Sequence, residues 1–323
     1  MHRTARLLAG TVVVAALAAA LTGCSGGAGG TAGCTPQATS GTASESVHVS
    51  GPVDEAPTVR FPTPISVQDT QVSVIKAGHG APITAAQEVS TEVTFYNATT
   101  GATVLKSDYT GSAPADFVVG TVAVKGLRKA LVCSQVGERL VAVLPPSQGI
   151  PAAQRPTGLT ATDSVVAVID VRNAYLARAD GTNQVMGDGL PAVVLGPDGR
   201  PGITLPQAAP PSKLEVANLK SGSGAVIKRG DTAVIQYTGV IWKPEDPANG
   251  TVFDSSWTSG SPVNVVVKAG QTVPGLVTAL AGQRVGSQVL AVLPPSQAYG
   301  SQSTSTIPAN STLVFVVDIL GKA

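Results

Sequence analysis

The sequence predicts an α+β fold built twice, each copy an antiparallel β-sheet half-barrel wrapped around one short helix. Three observations carry this: a long internal repeat, period-two apolar alternation, and one short helix-like stretch within the repeated unit. "VKGLRKALVCSQVGERLVAVLPPSQ" (Val124 to Gln148) aligns without gaps onto "VPGLVTALAGQRVGSQVLAVLPPSQ" (Val273 to Gln297). Upstream "STEVTFYNA" matches "DTAVIQYTG", and downstream "SVVAVIDV" matches "TLVFVVDI", so the copies are collinear. Charged residues are 13% and aromatics 4%, with Val, Ala, Thr and Gly prominent, which favours strands and turns over long salt-bridged helices.

In chain order, His2 to Arg6 is a basic lead and Leu7 to Leu21 an apolar run shorter than the roughly twenty residues that span a bilayer. Residues 1–23 therefore read as an export signal. "LTGC" (Leu21 to Cys24) resembles the bacterial lipobox, and that resemblance implies a lipidated Cys24 and a lipid anchor on the extracytoplasmic face of a cell membrane. Residues 24–45 are rich in Gly, Ser and Thr and are expected to be a flexible tether. With Cys24 lipidated, Cys34 and Cys133 remain. Outside the cytoplasm they are either a disulfide or two free thiols, and both alternatives stand.

Residues 46–175 form the first copy, residues 176–211 a Pro/Gly-rich connector, and residues 212–323 the second copy. The connector is expected to be extended or hairpin-like, with a turn at Gly196-Pro197-Asp198-Gly199, and to pack on a domain. In the second copy Leu214 to Leu219, Thr232 to Trp242, Val263 to Val267, Gln288 to Leu293 and Thr312 to Leu320 read as strands. Leu313, Phe315, Val317 and Ile319 alternate onto one face. Gly275 to Gly282 reads as the helix, with any ligand at its open end.

Lys plus Arg at 21 against Asp plus Glu at 20 give a net charge of +1 with no basic run, which excludes an electrostatic nucleic-acid footprint. Three His with no ligand spacing predict no metal site, and no cofactor is expected.

"VIQYTG", "FDSS", "VPGL", "VLPPSQAYG" and "IPANSTLVFVVDIL" stand in the order and spacing of a known family. Residues 212 to 323 resemble the FKBP-type peptidyl-prolyl cis/trans isomerases. The whole chain then resembles an actinobacterial-like lipoprotein with two tandem domains of that kind, the first degenerate. The resemblance implies walls and floor at Tyr237, Phe253, Val263, Val265, Val273, Leu276, Ile307 and Phe315. It also implies a phenol at Tyr299 donating to a substrate carbonyl, a second donor at the Val273 N–H, and an Asp254 carboxylate orienting the reacting imide. Leu276 stands where the family often has Trp, and Val263 and Val265 where it often has aromatics.

On the sequence alignment the first copy has Leu105-Lys106 for Phe253-Asp254, Ile150 for Tyr299 and Ala167 for Phe315, while Tyr96 and Leu127 match Tyr237 and Leu276. It is expected to fold alike without isomerising. The implied function is a monomeric, lipid-anchored isomerase acting on proline-containing peptides or exported client proteins. The alternative is a non-catalytic envelope chaperone or scaffold binding peptides through both domains. A solute-binding lipoprotein is disfavoured, because two small half-barrels lack the α/β lobes such receptors need.

Overall fold

The computed structural model describes residues 34–53, 55–111, 114–243 and 250–323. The export signal, Cys24, the first part of the tether and residues 244–249 of the "KPEDPANG" loop lie outside the described residues.

Residues 34–175 begin with α1 (Thr42–Glu45) and the paired strands β1 (His48–Ser50) and β2 (Thr58–Arg60). They continue through β3 (Gln71–Lys76), β4 (Glu88–Asn97), β5 (Thr103–Lys106), β6 (Ala115–Val118), α2 (Lys125–Leu131), β7 (Arg139–Leu144) and β8 (Val165–Ala174). The connector supplies β9 (Thr182–Asn183) and the hairpin β10 (Ala192–Leu195) and β11 (Pro201–Thr204), turning at the expected Gly196-to-Gly199 position. Next come β12 (Glu215–Ser221), β13 (Thr232–Ile241), β14 (Thr251–Ser255), α3 (Ser256–Ser259), β15 (Val263–Val266), α4 (Pro274–Leu280), β16 (Gln288–Leu293) and β17 (Leu313–Lys322). The five expected strands and the helix of this half all form, with ends displaced by at most two residues.

The first sheet runs β3-β7-β8-β4-β5 with β6 also on β4. The second runs β12-β16-β17-β13-β14 with β15 also on β13, and β9 extends it beyond β12. The two sheets are therefore one topology used twice, entirely antiparallel.

Each helix lies directly on its sheet. A side chain at Gly126 would collide with Leu144, and one at Gly275 with Leu293, which explains why Gly-Leu recurs at both helix starts. Leu127, Leu131, Leu140 and Ile169 fill the inner face of the first sheet, and Leu276, Leu280, Val289 and Val317 that of the second. Each such side chain contributes about 1.5–3 kcal/mol on burial.

The outer faces are covered as well. Val47 and Ile65 of the leading segment pack on Val141, Val143, Val166 and Val168, while Ile203 and Leu205 of the connector pack on Leu290, Val292, Val314 and Val316. Both faces being buried explains the near-continuous apolar runs of β7, β8, β16 and β17. A buried polar fastener holds each cover. In the first half Arg139 pairs with Asp170 at 2.6 Å and donates to the Gly51 and Glu55 carbonyls. In the second, Asp318 accepts from the Ala179 N–H at 2.8 Å and from Gln288 at 2.6 Å, and burial pushes its carboxyl up.

Residues 34–45, read from composition as tether, are packed structure. Cys34 and Cys133 form a disulfide with Cα atoms 5.7 Å apart, Ser44 is fully buried, and Gln71 Oε1 accepts from the N–H groups of Ala43 and Ser44. A covalent tie and side-chain hydrogen bonds do here what apolar area would do elsewhere.

Tyr175 joins the halves. Its N–H donates to Glu88 O, its carbonyl accepts from Gln87, and its ring packs on Val234 and Leu320 against Gly321.

Candidate functional site

The helix α4 stops short of one end of the second half-barrel, and a cavity of about 600 Å³ opens there. Phe315 on the central strand β17 is its floor, 5% exposed. The Phe253 ring stands edge-on to Phe315 with centroids 5.5 Å apart, and Tyr237 lies tilted against it at 6.1 Å. Phe253 reaches this place because β13 carries Gly239 opposite: a Cβ there would strike the Phe253 ring. Val263 and Val265 on β15 make one wall, and Val273 and Leu276 at the start of α4 another.

Polar groups occupy the rim. The Tyr237 phenol donates to Asp254 Oδ2, and burial first, then the Asp254 carboxylate, pushes the phenol pKa well up, so Tyr237 stays a donor. Asp254 itself is exposed at the mouth, where Tyr299 is 41% exposed. The Ser256 hydroxyl accepts from the Tyr237 N–H at 2.8 Å and donates to Gln236, tying β13 to the segment that carries Asp254. Among the described residues, the N–H of Val273 has no acceptor and lies in the cavity wall. The result is an apolar floor with donors and one carboxylate around it.

Nine of the ten residues expected here line the cavity: Tyr237, Phe253, Asp254, Val263, Val265, Val273, Leu276, Tyr299 and Phe315. Ile307 does not. It is 4% exposed and packs in the core of the second half. Sequence reasoning missed Ile235, Pro274 and the Gly270-Gln271-Thr272 run. Ile235 was discoverable, lying two residues before Tyr237 on one strand and so on the same face. The run before the helix carries no periodic signal; Thr272 holds it by donating to Val266 O at 2.7 Å.

Residues 224–320 match the family model described as "FKBP-type peptidyl-prolyl cis-trans isomerase". An FK506-binding protein of Streptomyces anulatus is 30% identical over 123 residues, 38% of this chain and 95% of that protein. The chain belongs to the FKBP-type peptidyl-prolyl cis-trans isomerase family. FK506-binding protein 1A of Neurospora crassa is 32% identical over 121 residues, 37% of this chain and 93% of that one. FkpA of Escherichia coli is 34% identical over 102 residues, 32% of this chain and 35% of that one. Among solved structures, the three FKBP domains of wheat FKBP73 align over 79% of this chain and 94% of theirs, at 20% identity and a TM-score of 0.35.

With the FKBP-type cavity located, hydrogen-bond register shows what stands in its place in the first sheet. Phe95 pairs with Leu105 and Ala167, whereas Gly239 pairs with Asp254 and Phe315. Val93 pairs with Ile169, whereas Tyr237 pairs with Val317. Leu105 is thus the counterpart of Asp254, Ala167 of Phe315 and Val93 of Tyr237. Two parts of the sequence alignment need correction. Tyr96 is not the counterpart of Tyr237 but lies on the outer face beside Phe61, and Lys106 is the counterpart of Ser255, so Leu105 takes the place of the Asp254 carboxylate. Ile150, matching Tyr299, is 6% exposed within the core.

Proposed function

We propose that the second half carries out the isomerase reaction of its family and that the first half, folded alike, does not. The observation that carries this is the juxtaposition of Phe315, Phe253, Tyr237, Asp254 and Tyr299 around one cavity, with none of the five retained at the matching positions of the first sheet.

Rotation about an X-Pro amide faces a barrier of about 18–20 kcal/mol because resonance holds it planar. No nucleophile is needed. A catalyst must bind the twisted amide more tightly than either planar form, and each tenfold of rate takes about 1.4 kcal/mol of that preference. The proline ring sits on Phe315 between Phe253 and the Val263–Val265 wall. The Val273 N–H and the Tyr299 phenol hold the flanking carbonyls, which keeps the chain fixed while the amide turns. Asp254, itself held by Tyr237, faces the imide as its nitrogen loses conjugation and becomes pyramidal. Water exclusion by the aromatic floor favours the less polar twisted amide.

The N-terminal sequence supports the cellular reading: an exported protein anchored through a lipid on Cys24, helping secreted chains past slow X-Pro steps without ATP. The covered first half spaces the catalytic half from the membrane.

Acceleration of cis-to-trans conversion of a short X-Pro peptide by the full chain tests the reaction. Asp254→Ala and Tyr299→Phe are each expected to lower kcat/KM, the first by about tenfold or more, equivalent to about 1.4 kcal/mol. Conversion no faster than buffer would favour the non-catalytic chaperone, and full activity in both variants would sink the site assignment.

A further inference from the structure

A groove leaves the cavity along the free edge of β14. Phe253 and Asp254, which wall the cavity, also wall a depression of about 450 Å³ that continues over Ser255 and Thr258. Val252 carries that depression into another of about 380 Å³, bounded by Val194 and Ile203 of the connector hairpin and floored by Val240. Val252 is 55% and Val194 74% exposed. Among the described residues, Asp254 is the one ionisable side chain lining either depression. Among the described residues β14 pairs only with β13, so its other edge offers unpaired backbone donors and acceptors.

Exposed valines scattered singly need no explanation. Here they flank an open strand edge whose own Phe253 and Asp254 line the cavity, the arrangement by which an extended peptide adds a strand and seats alternate side chains. We propose that this track is a second binding site, taking an extended, apolar, uncharged segment of the same polypeptide whose proline occupies the cavity. The proposal rests on the reading that the cavity takes proline. At about 3.3 Å per residue, the hairpin notch is reached roughly three to five residues from that proline. The site selects unfolded chain, since a folded client cannot offer both an exposed proline and an unpaired apolar strand beside it. It also gives the connector a part in recognition, because the notch exists only where β10 and β11 meet the β13–β14 edge.

The test compares, on the full chain, conversion of a tetrapeptide and of longer peptides carrying Val or Leu three to five residues to either side of the same X-Pro bond. At least one longer peptide is expected to show kcat/KM about tenfold higher, the worth of burying about one valine-sized side chain. The double substitution Val194→Glu and Val252→Glu should abolish that advantage and leave tetrapeptide conversion within about twofold. Equal kcat/KM for all substrates, or an advantage that survives the substitutions, overturns the proposal. Independently of catalysis, a proline-free apolar peptide should shift the methyl resonances of Val194 and Val252, and unmoved resonances also overturn it. If the tetrapeptide is not converted, the cavity reading fails while this binding measurement still decides the groove. A concentration-dependent dimer abolished by Val252→Glu would assign the edge to a second copy and overturn it too.

Discussion

The first and second sheets share strand order, bulge positions and helix placement, yet close their concave ends differently. In the first, Phe95 points inward from β4, and Ile150 and Leu159 join it in the core, so the end is filled. In the second, Gly239 replaces that phenylalanine, its space passes to Phe253 from the edge strand, and Tyr299 stays at the surface. Moving bulk from a central strand to an edge strand and a loop turns a plug into a cavity without changing one strand pairing.

The comparison can be pressed hardest at the buried fasteners. Arg139→Met strands the Asp170 carboxylate inside the first half and is expected to cost about 3–5 kcal/mol in chemical denaturation. Gln288→Met leaves Asp318 its Ala179 N–H and should cost about 1–2 kcal/mol. Equal losses would mean that the ionic and amide fasteners are equivalent.

A smaller difference lies in pH dependence. Burial, with the Asp116 charge adding to it, pushes the Glu88 carboxyl up to about 7, whereas the matching residue in the second sheet is Thr232. The folded state therefore holds this proton more tightly than the unfolded chain does, whose Glu titrates near 4.5. Stability from this group is intact below about pH 4.5 and declines as pH rises through 7, by about 3 kcal/mol in all. Glu88→Gln should flatten the decline in thermal melts between those limits. An unchanged slope would remove Glu88 as its source.

A last, modest stability effect tests the glycine exchange. Gly239→Ala should cost about 1–2 kcal/mol by displacing the Phe253 ring, while lowering isomerase kcat/KM more than its stability loss accounts for. A variant with full activity would show that the ring need not sit where it does.

Much of this was legible beforehand, because both the repeat and the strand alternation are properties of local sequence. The cavity residues came from ordered motifs, and nine of ten fell in place. What failed was equivalence between the halves. Matching "FYNA" to "QYTG" slips the strands by three residues, and matching Lys106 to Asp254 slips them by one. Each odd slip turns a side chain to the opposite face. Register belongs to the ladder, and a shared tyrosine was a misleading guide to it. The packed stretch at 34–45 escaped because its order comes from a disulfide and from Gln71 far along the chain, which composition does not show.

The strand that floors the cavity follows every other strand of its sheet along the chain. Strand β17 lies between β13 and β16, so both neighbours leave the ribosome with their facing edges open and wait for it. Until it threads between them Phe315 is missing, and the connector hairpin has only part of the surface it covers. Pocket and cover are thus both completed by one strand, and neither can be finished before the other.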